Sequence, residues 1–313
     1  MPRLDLTRAE FLTLLGGTGV SALAAGMPIA NAAPIPALPL LTRPIPKTGE
    51  ALPVIGLGTW LVFDVGLTQS EMAPRREVVK LMIDGGGSVI DSSPMYGNAE
   101  AVTGELVHDL GARKKAFFAT KVWTSGRNSG IRQMDQSFRR MRTEVMDLMQ
   151  IHNLVDWRTH LKTLRKMKES GKIRYIGITH YTSSALDDLA DVIEKEPVDF
   201  VQMAYSVGER DAEERLLPLA AEKGVAVLVN RPYEGGDLFG ATRGRPLPAW
   251  AAEFDCRSWG QFFLKYILAH PAVTCVIPGT GKPAHMLDNL QAGRGRLPDA
   301  AHKSKMLTLI KEL

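Results

Sequence analysis

The chain is 313 residues long, 45% hydrophobic and 23% charged, with a formal net charge of +4. Those values are ordinary for a folded domain and exclude fibrous and disordered classes; the length suits one α/β barrel, which takes about 250 residues, plus an extension. Basic residues are scattered, and the densest groups, Arg139-Arg140 with Arg142 and Arg294 with Arg296, lack interleaved aromatics, so no nucleic-acid partner is expected.

In chain order, the first segment reads as a leader. Phe11 to Met27 carries no charge and is rich in Gly, Ala and Leu. It is too short and too glycine-rich for a membrane span, which needs about 20 apolar residues, so no stable span is expected in the mature protein. Ala30-Asn31-Ala32 offers the small residues of a signal-peptidase site. Thr7-Arg8-Ala9-Glu10-Phe11-Leu12 resembles the twin-arginine export motif, with Ala9 where the second arginine belongs. Residues 1–32 are therefore expected to be a signal peptide for a periplasmic protein, the alternative being a cytoplasmic chain with a decayed leader. Pro34, Pro36 and Pro39, with Pro44 and Pro46 beyond, predict an extended linker over 33–39. The folded domain is expected over 40–313.

Leu41 to Arg43 and Leu52 to Ile55 flank Lys47-Thr48-Gly49-Glu50, the pattern of a short hairpin with a glycine turn. Apolar runs then recur at Val54 to Gly58, Ser88 to Asp91, Ala116 to Val122, Asp147 to His152, Tyr175 to Thr179, Phe200 to Tyr205, Val225 to Val229 and Val273 to Ile277. Amphipathic stretches separate them: Leu161, Leu164 and Met167 share one helical face, as do Leu216, Leu219 and Ala220. Ser170-Gly171 and Lys223-Gly224 are helix stops. Strands that alternate with helices predict a closed parallel (β/α)8 TIM barrel with a short N-terminal β-hairpin. The alternative, a doubly wound sheet, lacks its fingerprint, because Gly56-Leu57-Gly58 runs into Thr-Trp-Leu rather than completing G-x-G-x-x-G. Cys256 and Cys275 form neither a zinc spacing nor a disulfide framework and read as buried thiols. His108, His160, His270 and His302 are expected on the surface, and Trp250 and Trp259 are expected to anchor the long loop after the seventh strand.

In a barrel the chemistry gathers at the C-terminal strand ends. Those ends carry Thr59 and Trp60, Asp91, Lys121 and Trp123, His152 and Asn153, Thr179 and His180, Gln202 and Tyr205, Asn230 and Arg231, and Thr280. Asp91 and Lys121, expected on next-but-one strands, are a plausible buried ion pair, since a charge at the end of a buried strand is costly unless paired. Tyr96 lies just beyond Asp91. An ammonium beside a phenol lowers its pKa, which suits Tyr96 to donate a proton to a developing alkoxide and take it back in reverse. His152 is placed to donate a hydrogen bond to the same oxygen. The set needs no metal, and Asp91 is the only acid at a strand end, which disfavours a metal-dependent isomerase or aldolase on this fold.

Five segments occur in order: Pro53-Val-Ile-Gly-Leu-Gly-Thr-Trp60, Ile90-Asp-Ser-Ser-Pro-Met-Tyr-Gly97, Ala119-Thr-Lys121, Asp147-Leu-Met-Gln-Ile-His152 and Gly177-Ile-Thr-His180. With these, the chain from about Leu40 onward resembles the aldo-keto reductase family. The resemblance implies a catalytic tetrad of Asp91, Tyr96, Lys121 and His152, hydride transfer from C4 of a reduced nicotinamide, and a proton from Tyr96. It implies a cofactor cradle of Thr59, Trp60, Asp91, Thr179, His180, Gln202, Asn230 and Arg231, with Gln202 on the carboxamide. Thr179-His180 stands where the family has Ser-Asn, and Asn230 where many members have a stacking tyrosine that Tyr205 or Tyr233 would replace. Thr280, Gly281, Lys282, His285, Asp288 and Asn289 match the adenosine-phosphate segment, with Asp288 and Asn289 at the ribose and adenine positions. Gly279 and His285 stand where a lysine and an arginine often clamp a 2′-phosphate, while Lys282 and the start of the following helix still favour an anion. NADPH is the expected cofactor and NADH the alternative. Trp60, Tyr96, Trp123 and His152 would line the pocket for a small carbonyl substrate, open because no long C-terminal tail follows Ala301 to Leu313. The rival function is a nucleotide-binding barrel acting as a sensor with little turnover.

Overall fold

In the computed structural model the described residues are 38–312. The expected leader and residues 33–37 of the expected linker lie outside them. A two-stranded antiparallel hairpin, β1 (Thr42–Pro44) and β2 (Ala51–Pro53), comes first, with Arg43 opposite Leu52. Eight parallel strands follow: β3 (Leu57–Gly58), β4 (Val89–Asp91), β5 (Phe117–Val122), β6 (Met146–His152), β7 (Ile173–Thr179), β8 (Phe200–Ala204), β9 (Ala226–Asn230) and β10 (Val273–Val276). Each pairs with the next in chain order, and bridges from Ile55 to Val276 and from Gly58 to Gly279 join the first to the last. This is the expected (β/α)8 barrel with its hairpin.

Helices separate the strands: α1 (Gln69–Asp84), α2 (Ala99–Asp109), α3 (Arg127–Arg140), α4 (Trp157–Glu169), α5 (Leu186–Lys195) and α6 (Leu216–Glu222). A short α7 (Asp237–Ala241) and α8 (Trp259–Leu268) lie between β9 and β10, and α9 (Pro283–Ala292) and α10 (Ala300–Lys311) close the chain. Among the described residues no helix is long and apolar enough to cross a membrane.

Alternation along the strands builds two cores, because successive side chains point to opposite faces. Outward residues such as Phe118, Met149, Ile151 and Met203 pack under the helices. Inward residues near the strand starts, including Val89, Phe117, Leu148, Tyr175 and Phe200, form a separate cluster with Ile45 and Leu52 of the hairpin. The hairpin therefore plugs the N-terminal end with apolar groups. It is tied down there: Arg43 donates to the carbonyls of Leu268, His270 and Val273, and Tyr175 donates to Glu50.

Two glycines shape the barrel interior. A Cβ at Gly58 would lie 2.7 Å from the Ile277 carbonyl oxygen, so the seam between first and last strands closes only without one. A Cβ at Gly177 would lie 2.8 Å from Cγ of Gln150, the side chain that crosses the lumen there. Both are close approaches that any side chain would block.

One surface expectation, that for His160, needs correction. His108 is exposed and His270 and His302 are half-buried, but His160 is fully buried. Its Nε2 meets the Thr124 carbonyl at 2.7 Å, under Gly130 of α3. It sits on the inward face of α4, one residue from Leu161, which the apolar periodicity alone did not claim. Cys256 and Cys275 are free and buried, as expected. Trp250 packs on Phe254 and Phe262, while Trp259 stacks on Phe263 and donates to the Arg245 carbonyl at 3.0 Å; both hold the segment after β9.

Candidate active site

Toward the C-terminal ends of the strands the inward positions turn polar: Asp91 on β4, Lys121 on β5, Gln150 and His152 on β6, Thr179 on β7, Gln202 on β8 and Asn230 on β9. Asp91 and Lys121 lie on directly paired strands, not on next-but-one strands. Lys121 is fully buried, and its ammonium donates to Asp91 Oδ2 at 2.6 Å and to the Ser92 carbonyl at 2.7 Å. Asp91 Oδ1 accepts from Gln150 Nε2 and from Gln202 Nε2, each at 2.9 Å. Three donors from three side chains thus converge on one carboxylate, each contact charge-assisted. Burial pulls the Lys121 pKa down, Asp91 pulls it up, and the balance raises it. The lysine stays charged.

Tyr96 reaches over this pair from the loop after β4, with the Lys121 nitrogen 5.1 Å from its ring centroid. Its pKa is raised rather than lowered, against the expectation from sequence. Desolvation of the phenolate outweighs the pull of Lys121, and Asp91 adds to the rise. His152 ends β6 beside it, the two rings perpendicular at 5.9 Å. Burial and then the Lys121 charge push the imidazole pKa down to about 3. His152 is thus neutral throughout the physiological range, and its Nδ1 lies 3.0 Å from Ser93 Oγ.

Around this group the expected cofactor residues divide into engaged and free. Thr59 is fully buried, its hydroxyl spent on the Asp91 carbonyl and Ser92. Gln202 has all its hydrogen-bonding capacity in use: Nε2 donates to Asp91 and Gln150, and Oε1 accepts from Thr179 Oγ1 and Asn230 Nδ2. That pattern fixes the flip of Asn230, whose Oδ1 is buried with no partner among the described residues. His180 Nδ1 accepts the backbone N–H of Tyr181 at 3.1 Å and of Thr182 at 3.3 Å. Its Nε2 must therefore carry the hydrogen. Burial also lowers the His180 pKa.

The stacking tyrosine is not replaced by Tyr205. That ring lies on the outer face of the sheet, fully buried, with its hydroxyl donating to Glu213 at 2.6 Å. Tyr233 packs on Phe239 and Phe263, and its hydroxyl donates to Asn289 Oδ1 at 2.7 Å. Asp288 accepts from Ser258 Oγ and Gln261 Nε2, each at 2.7 Å, tying α9 to α8. Thr280 Oγ1 accepts from the Lys282 N–H at 3.0 Å. Lys282 and His285 are exposed at the start of α9, and Arg231 is half-buried beyond β9 with φ +49°. Gly281 faces the Arg75 guanidinium, which a Cβ there would meet at 3.3 Å. Arg75, from α1, went unclaimed in the sequence because nothing local links it to a segment two hundred residues downstream.

Aromatic groups rim the mouth. Trp60 is 51% exposed and Trp123 41%, with Trp123 6.2 Å from the His152 ring. Met95 and Tyr181 are exposed apolar neighbours in the flanking loops. Exposed aromatics around a few convergent polar groups are the usual lining of a small-molecule site. Among the described residues no cluster of three or more His, Cys, Asp or Glu side chains converges.

The sequence profile described as "Aldo/keto reductase family" matches residues 54–304. Aldo-keto reductase YhdN of Bacillus subtilis is 26% identical over 59% of this chain, and the alignment spans 60% of that relative. Methylglyoxal reductase YeaE of Escherichia coli is 28% identical over 76% of this chain and 84% of its own length. Among solved structures, an aldo/keto reductase from Klebsiella pneumoniae in complex with NADP and acetate superposes with a TM-score of 0.72 at 22% identity, over 84% of this chain and 93% of that one. The holo form of aldo-keto reductase AKR11C1 from Bacillus halodurans gives 0.70 at 22% identity, over 87% and 96%. Those two likenesses establish the shared barrel. With the profile running through all eight barrel strands, the chain belongs to the aldo/keto reductase family.

Proposed function

We propose that this chain reduces an aldehyde or ketone to an alcohol, and runs the reverse oxidation, with Tyr96 moving the proton at the carbonyl oxygen. The observation that carries the reading is the charged Lys121 held by Asp91 beneath the Tyr96 ring, with neutral His152 alongside. Tyr96 supplies the acid: its raised pKa keeps the phenol protonated at neutral pH, and the ammonium stabilises the phenolate left behind. His152 orients the carbonyl by hydrogen bonding. Trp60 and Trp123 hold the rest of the substrate against apolar surface.

A reduced nicotinamide, when bound, supplies the hydride. Fit for its carboxamide comes from the buried, unpartnered Asn230 Oδ1 and the hydrogen-bearing Nε2 of His180. One accepts and the other donates, as a primary amide requires. With Gln202 saturated inside the barrel, its part is to aim Asn230. At the far end Lys282, the start of α9 and Arg75 beside Gly281 favour a phosphate. NADPH is therefore the proposed cofactor ahead of NADH, with Arg231, Thr280, His285, Asp288 and Asn289 in the same cradle. YeaE is named for methylglyoxal; a small, reactive carbonyl of that kind suits the open, aromatic-rimmed mouth.

Residues 1–32 are proposed as an export signal, 33–39 as a linker and 40–313 as the catalytic barrel, supported by the uncharged stretch to Met27 and the Ala-Asn-Ala site. The test of function is NADPH oxidation by the purified chain with an aromatic aldehyde. Steady turnover is expected; tight nucleotide binding with no turnover on any of a panel of carbonyls would overturn the reading in favour of a sensor.

A further inference from the structure

We propose that Ser93 is a positioning residue: its hydroxyl donates to His152 Nδ1, and so holds the imidazole in the form that presents Nε2–H to the barrel mouth. The consequence for turnover rests on the reductase reading above; the tautomer itself does not.

Ser93 lies two residues beyond Asp91, fully buried, with Oγ 3.0 Å from His152 Nδ1. Its oxygen also receives the backbone N–H of Met95 at 3.4 Å. A hydroxyl has one hydrogen to give and two lone pairs to offer. If Nδ1 carried the imidazole hydrogen, it and the Met95 N–H would fill both lone pairs. The Ser93 hydrogen would then have no acceptor, since no other hydrogen bond involves this hydroxyl among the described residues. A buried donor without a partner is the costly case.

The opposite assignment leaves nothing unsatisfied. Ser93 O–H donates to a bare Nδ1, Met95 N–H fills one lone pair, and the imidazole hydrogen moves to Nε2. That nitrogen makes no hydrogen bond within the described residues and is not sealed from solvent. It shares the mouth with the Tyr96 and Trp123 rings. The ring is neutral, so the choice of nitrogen decides whether it meets a carbonyl oxygen with a hydrogen or with a repelling lone pair. His180 reaches the same state by another route, its Nδ1 filled by backbone amides. Both imidazoles at the mouth are thereby donors.

The experiment is long-range 1H–15N NMR of the histidine rings in the full chain without cofactor, with His152 assigned from the spectrum of His152→Asn. In the unsubstituted protein Nδ1 is expected to resonate as an unprotonated, hydrogen-bonded nitrogen and Nε2 as a protonated one. A protonated Nδ1 overturns the proposal. In Ser93→Ala the Nδ1 resonance is expected to move as its donor is lost, and kcat/KM for the carbonyl to fall about tenfold with cofactor affinity unchanged. A folded Ser93→Ala protein with an unmoved Nδ1 resonance overturns it too, and if that variant fails to fold, the unsubstituted spectrum alone decides. Should the spectrum be as expected while no carbonyl is turned over, the reductase reading fails and the tautomer assignment stands.

Discussion

Among the described residues Lys121 has no anionic partner except Asp91, and Asp91 has three donors aimed at it. Removing the cation strands a carboxylate in a site from which water is excluded. Lys121→Met is expected to lower stability by about 3–5 kcal/mol and to abolish reduction, read by thermal unfolding and NADPH oxidation. His152 carries a second consequence. Its pKa is depressed to about 3 from 6.5, so the folded protein resists a proton that the unfolded chain accepts. Stability from this group is complete above about pH 6.5 and is lost progressively as pH falls toward 3. The unfolding midpoint should decline across that window, and His152→Asn should flatten the decline; an unchanged slope would remove His152 as its source. Arg75→Gln should raise KM for NADPH about tenfold while leaving KM for NADH nearly unchanged. Equal effects on both would place the guanidinium away from the distinguishing phosphate.

At the scale of elements, the sequence and the fold agree where local periodicity governs. The apolar runs from Ala116 to Val122 and from Asp147 to His152 became β5 and β6 within a residue of their expected bounds. Polar residues at the strand ends were legible as site candidates for the same reason. What stayed hidden depends on distance in sequence. The Gln150 and Gln202 side chains meet on Asp91 across 59 and 111 residues, and no local pattern announces that. The direction of the Tyr96 shift was misjudged because a neighbouring charge can be guessed from sequence, whereas the desolvation that outweighs it belongs to the assembled mouth. Gly177 tests the element-level account. Gly177→Ala pushes a Cβ toward Gln150 Cγ, so it should cost about 1–3 kcal/mol by overpacking and weaken the Gln150 contact to Asp91. Chemical denaturation would show it; a neutral substitution would mean the lumen has slack that the contacts do not suggest.

For the molecule as a whole, the barrel separates stability from chemistry along its axis. Apolar side chains and the hairpin fill the N-terminal end, and the polar relay from Lys121 through Asp91 and Gln202 to Asn230 fills the other. A buried relay of this kind is tolerable because nearly every member is satisfied, and the member without a partner among the described residues, Asn230 Oδ1, is the one proposed to meet the cofactor. The leader proposed for residues 1–32 would set where this barrel works. Mass spectrometry of the protein from separated cell fractions should find a mature N-terminus at or just after Ala32 in the periplasm, and an intact Met1 terminus in the cytoplasm would dismiss the export reading. The central claim is more exposed elsewhere. Tyr96→Phe removes one oxygen and leaves the ring, the lysine and the nucleotide cradle in place. Steady-state reduction of an aromatic aldehyde by this variant, measured beside its NADPH affinity, should fall about a hundredfold or more with affinity nearly intact; turnover comparable to that of the unsubstituted protein would contradict the assignment of Tyr96 as the proton donor.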